Sequence, residues 1–243
     1  MRPRTPPLRT LRKVFRANAE LNRLCTMLLT EMAYRLGRRC EYEVYEASDF
    51  GPSLAHSPGS ETIFDSGLVS PSHLKNTLVR RLEPFTAGSV VSAYHQAIEP
   101  WFPIVATLQS RLRPTWDETP LDVAILCLAI LLLTTSPSPT ASREGAISEL
   151  KGLYLQTKSS IALAEGLGLN SVPIVQSRIL TTLFEVGHGF YPAAYISIGA
   201  AVRAADALEY HPNENTLHPY LSNVLVSQEE TVLVWCGVVV LDR

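Results

Sequence analysis

One unbroken apolar run, Val123–Leu133, limits what this chain can become more than any other feature. It holds eleven residues with no charge among them. A membrane-crossing helix needs about 20 such residues, so the run is too short to span a bilayer. It is expected to be a buried helix, apolar on every side, at the centre of a soluble core. No membrane contact is expected.

Helix signals recur on both sides of it. Ser72–Leu82 reads as a short basic helix, and Ser89–Ile98 as another stopped by Pro100. Ser142–Gly166 opens on a capping serine, carries Leu150, Leu153, Ile161 and Leu163 on one side, and closes at Gly166 and Gly168. Ser171–Phe190 has Pro173 in its first turn, and Pro192–Leu208 starts on a proline. Gln228–Leu241 follows Ser227 and has Glu229 and Glu230 in its first turn, where acids suit the helix dipole. Its tail, Val238-Val239-Val240, would also suit a strand by propensity. No Asn-Gly hairpin and no alternating strand series occurs. The expected fold is all-α: a multi-helix domain of orthogonal and antiparallel helices with a basic N-terminal helix.

Charge divides the chain unevenly. Residues 1–40 carry ten basic groups, Arg2, Arg4, Arg9, Arg12, Lys13, Arg16, Arg23, Arg35, Arg38 and Arg39, against Glu20 and Glu31. The remaining residues carry 11 basic and 21 acidic groups. Leu8–Leu36 has helical apolar spacing and no Pro or Gly, while residues 47–62 are rich in Ser, Pro and Gly. The expected organisation is a basic helical region at 1–46, a linker or long loop at 47–70, and a helical domain at 71–243. A basic arm on an acidic body suits a weak contact with DNA phosphates.

Catalytic and metal spacings are missing. The chain has no G-x-S-x-G, H-E-x-x-H, Walker loop or G-x-G-x-x-G. Cys25, Cys40, Cys127 and Cys236 include no C-x2-C pair, and no two histidines sit three or four apart. Gly187-His188-Gly189 is too short to cradle a phosphate and reads as a helix-end turn. Trp235-Cys236-Gly237 lacks the second cysteine of a redox motif. Paired acids at Asp117-Glu118 and Glu229-Glu230 precede helices and are read as caps. Phe184, Phe190, Tyr191 and Tyr195 are read as core aromatics, and Trp101 and Trp235 as core anchors. Small residues from Gly199 to Ala207 suit a close helix approach. No catalytic residue and no metal ligand is assigned, and the chain is expected not to be an enzyme.

Four stretches taken in order resemble a known family. They are Tyr94–Ile104 with its Pro100-Trp101-Phe102-Pro103; the apolar helix Leu121–Leu133; residues 150–211 with Gly199-Ala200-Ala201-Val202-Arg203-Ala204-Ala205 and Leu208-Glu209-Tyr210-His211; and Glu229–Gly237 running to Leu241-Asp242-Arg243. Together, over roughly residues 88–243, they look like the regulatory or middle homology domain of fungal transcription factors of the six-cysteine binuclear zinc cluster class. The resemblance implies a nuclear regulator of RNA polymerase II genes. It also implies control by a small metabolite or co-regulator protein, homodimer formation, and DNA binding by family.

The departures from the family pattern are specific. No cysteine spacing here could hold the zinc cluster, so no cofactor is expected in this chain. Leu208-Glu209-Tyr210-His211 stands where the family has Leu-Gly-Leu-His, and Thr231-Val232-Leu233 where it is usually basic. Similar domains continue past Leu-Asp-Arg, so the domain is expected to be incomplete, with the apolar face of residues 232–241 short of partners and the isolated chain folding poorly. The competing expectation is a cluster-less helical module that binds a ligand or protein without touching DNA. Within the helical domain, Glu230 with Arg203, and Asp242 with Arg243, are expected as structural charge pairs.

Overall fold

A computed structural model describes residues 70–135, 143–209 and 228–242. Among these residues there are eight helices and no strand. They are α1 (Pro71–Leu82), α2 (Ala87–Ala97), α3 (Leu108–Arg111), α4 (Leu121–Thr134), α5 (Arg143–Gly166), α6 (Val172–Gly187), α7 (Tyr191–Glu209) and α8 (Gln228–Leu241). The all-α expectation holds. The basic arm, residues 47–69 of the linker, Cys25, Cys40, Ser142, Ser227 and Arg243 lie outside the described residues.

The apolar run forms α4, and every residue from Asp122 to Leu133 is buried. A helix without a polar face can bury itself only if neighbours surround it. Here α1, α2, α5 and α6 pack against it. The second inner helix is α6, buried from Val172 to Glu185 except at Arg178 and packed against α4, α5, α7 and α8. One apolar cluster runs from Leu74 to Val240 through all of these elements. Each fully buried Leu or Ile contributes about 1.5–3 kcal/mol over its exposed state.

Local chemistry sets the helix ends. Ser70 accepts from the His73 N–H at 3.2 Å, and Pro71 takes the first position of α1. At α2, Thr86 and Ser89 form a reciprocal capping box with both bonds at 3.1 Å, so this helix starts before Ser89. Helices α5 and α6 end alike. Leu169 N–H reaches Ala164 C=O and Gly168 N–H reaches Glu165 C=O; Phe190 and Gly189 repeat the pattern on Glu185 and Val186. Both ends place a glycine in the left-handed region, Gly168 at φ +80° and Gly189 at φ +71°. Gly187-His188-Gly189 is therefore a helix end, as read.

The Val238-Val239-Val240 tail is helical, because burial on the core outweighs a β-branched preference of a few tenths of a kcal/mol per residue. The expected shortage of partners along residues 232–241 is corrected. Val234, Trp235, Val238 and Val240 are buried, against α6 and α7. Gly237 makes this approach close. A Cβ there would lie 3.0 Å from Ile104 Cγ2 and 3.3 Å from Ile179 Cγ2.

Other expectations shift. Leu163 turns outward at 37% exposure, since it is off the stripe set by Leu150, Leu153 and Ile161. Phe184 is buried and Phe190 half-buried, but Tyr191 and Tyr195 are 67% and 81% exposed. They share the outer face of α7 with Ile196, while Ala201 and Ala205 face the core. Trp101 and Trp235 are both buried, as read. Asp117 and Glu118 do not cap α4, whose N-cap is Pro120 with no side-chain bond.

Candidate functional site

A buried charge pair joins the last helix to the middle of the domain. Arg111 sits on the four-residue α3 and Glu230 on the first turn of α8, with side chains 1% and 0% exposed. Arg111 Nη2 donates to Glu230 Oε2. Thr107 Oγ1 donates to the same oxygen at 3.1 Å, and Gln176 Nε2 donates to Glu230 Oε1 at 2.9 Å and to Ile104 C=O at 2.7 Å. Three elements thus meet at one carboxylate. Arg111 Nε and Nη1, and Gln176 Oε1, have no hydrogen-bond partner among the described residues. Desolvating two charges is costly, and an incompletely bonded pair sets register more than it adds stability.

This corrects two sequence expectations. Glu230 pairs with Arg111, not Arg203, whose side chain is exposed on α7. Nor does Glu230 precede the helix as a cap; it lies inside α8 and is fully buried. The signal for Arg111 was absent from the sequence because α3 is too short to show periodicity and lies 119 residues from its partner.

A second buried carboxylate, Glu185, ties α5, α6 and α7. Tyr154 Oη donates to Glu185 Oε1 at 2.8 Å, and Lys158 Nζ donates to the same oxygen at 2.6 Å and to Ser197 Oγ at 3.3 Å. Burial, then the neighbouring Glu185, pushes the Tyr154 phenol above its ordinary range. The Tyr154 ring stacks on Phe184, which stacks on His188 at 4.0 Å between centroids. At the other end of the core, Ser171 Oγ donates to Asp122 Oδ2 at 2.8 Å, so the starts of α4 and α6 are joined. Burial lowers the Lys75 pKa, opposed by Asp117 and Asp122, and its ammonium donates to Thr119 C=O.

None of these groups forms a nucleophile–base pair, and among the described residues no three His, Cys, Asp or Glu side chains converge as a metal site. Cys127 lies inside α4, and burial pushes its thiol up to about 12. Cys236 is half-buried on α8. No described helix is long and apolar enough to cross a membrane.

A cavity of about 170 Å³ lies where the end of α1 meets α4 and α5. Leu128, Leu131, Leu150 and Leu153 form its walls, and Arg81 and Glu149 stand among its lining residues.

No protein-family model and no solved structure matches the chain. A curated protein does: "Transcription factor BOA15" of Botryotinia fuckeliana (strain B05.10), 33% identical over 122 residues. The match covers 49% of this chain and 64% of that protein, so the chain spans somewhat less than two-thirds of its relative's length.

Proposed function

We propose that this chain is the helical regulatory domain of a fungal transcription factor, acting in the nucleus on RNA polymerase II genes. The observation that carries this reading is its 33% identity to a protein named as a transcription factor. The order of the four motif stretches, set in an all-α fold, supports the finer assignment to the middle homology domain. In this reading the chain is not an enzyme. It works as a folded switch whose surfaces answer to a metabolite or a co-regulator protein.

No cysteine spacing within residues 1–243 matches a zinc cluster. In this reading the arginines of residues 1–40 add a contact with DNA phosphates that weakens steeply with salt.

The test is to tether the full chain to an unrelated DNA-binding module upstream of a reporter in a fungal host. The expected result is a change in reporter output that the Glu230→Ala variant loses. A tethered chain that is expressed, nuclear and without effect on the reporter would overturn the reading.

A further inference from the structure

We infer that the cavity between α1, α4 and α5 binds a small hydrophobic carboxylate, with the apolar body on the leucine wall and the carboxylate on Arg81. The volume sets the size. A cavity of about 150 Å³ lined by aliphatic side chains accepts benzene, and this one holds about 170 Å³. An apolar body of about six to nine heavy atoms fits that volume.

The walls set the polarity. Leu128 belongs to the helix that is apolar all round, and Leu150 and Leu153 are on the inner stripe of α5. Phe85, 37% exposed, and Pro84 line it from the turn after α1.

Arg81 sets the charge. Arg81 is half-buried in the last turn of α1 and has no ion-pair partner among the described residues. A planar guanidinium beside apolar surface pairs with a carboxylate through two parallel hydrogen bonds. The other charged lining group, Glu149, is exposed on α5. It would favour a ligand that also carries an ammonium. The shared chemistry is a short apolar chain or ring ending in a carboxylate, supplied either as a simple acid or as an apolar amino acid.

The test is a titration of the purified full chain followed by methyl NMR of Leu128, Leu131, Leu150 and Leu153. The probes are phenylacetate, benzyl alcohol, 4-methylpentanoate and leucine. Saturable shifts confined to these methyls are expected with the acids. Arg81→Gln should weaken phenylacetate about tenfold, the loss of one charge-assisted contact, and leave benzyl alcohol unchanged. Leu150→Phe fills the space and should reduce both; Arg81→Gln, at the rim, keeps the test interpretable if the core variant unfolds. Leucine binding tighter or weaker than 4-methylpentanoate identifies the source, and either order supports the site. A folded wild-type chain without saturable shifts, or an Arg81→Gln variant that loses acid and alcohol equally, overturns it. That such binding regulates transcription rests on the reading above; the titration tests the cavity alone, and the tethered reporter tests the reading without ligand.

Discussion

Replacing Glu230 by Gln should destabilise this domain far more than replacing an exposed first-turn acid would. The substitution keeps the shape and leaves Arg111 charged, 1% exposed and without its carboxylate. Two of the guanidinium nitrogens already lack partners, so nothing nearby compensates. Breaking a buried pair by removing one partner costs about 3–5 kcal/mol, against a total stability of about 5–15 kcal/mol for a domain. Urea unfolding followed by circular dichroism should show the midpoint falling by about a fifth or more of its value, with the slope unchanged. The companion double variant, Arg111→Met with Glu230→Leu, removes both charges and should recover most of the loss, because the pair is incompletely bonded. Arg203→Ala should change stability by less than about 0.5 kcal/mol, as expected at an exposed site. A Glu230→Gln variant within about 1 kcal/mol of wild type, or an Arg203→Ala variant as damaging as it, would refute the buried pair.

Gly237→Val should destabilise by about 1–3 kcal/mol through overpacking against Ile104 and Ile179, seen as a lower melting temperature and faster amide exchange along α8. Ile125→Ala, at a fully buried position of α4, should cost about 2–5 kcal/mol, while Leu163→Ala on the outer face of α5 should cost much less; equal losses would contradict the packing of α5. The Cys127 thiol, held at about 12 in the fold, titrates lower when unfolded, near 8.5. Its contribution to stability is thus complete below about pH 8.5 and is lost as pH rises toward about 12. The Cys127→Ala chain should lose less stability between about pH 8 and 10 than wild type, and thiol reagents should reach Cys127 only on unfolding.

The sequence revealed elements better than partners. The eleven-residue apolar run announced a central helix because no amphipathic arrangement is open to it. Pro173, Gly168 and the Gly187-His188-Gly189 turn marked helix ends because φ restriction and the left-handed glycine act within one turn. Trp101 and Trp235 were legible as anchors for the same local reason.

Pairing across long separations was not legible. Which basic residue meets Glu230 depends on how α3 is carried by the segment after Phe102, where Tyr94 Oη accepts from Val105 N–H at 2.9 Å. No periodicity records that geometry. The outward turn of Tyr191 and Tyr195 was missed because aromatic identity says nothing about which face of α7 meets α6. The cavity escaped notice because Arg81 and Glu149 sit on helices whose relative placement only the fold supplies.

The most direct measurement of the functional claim is chromatin immunoprecipitation of the tagged native protein in its own cells. A regulator of transcription, whether it touches DNA itself or through partners, should be enriched at a discrete set of promoter regions, and Glu230→Ala should abolish that enrichment. A wild-type protein that is expressed and folded yet distributed no differently from an untagged control would contradict the claim.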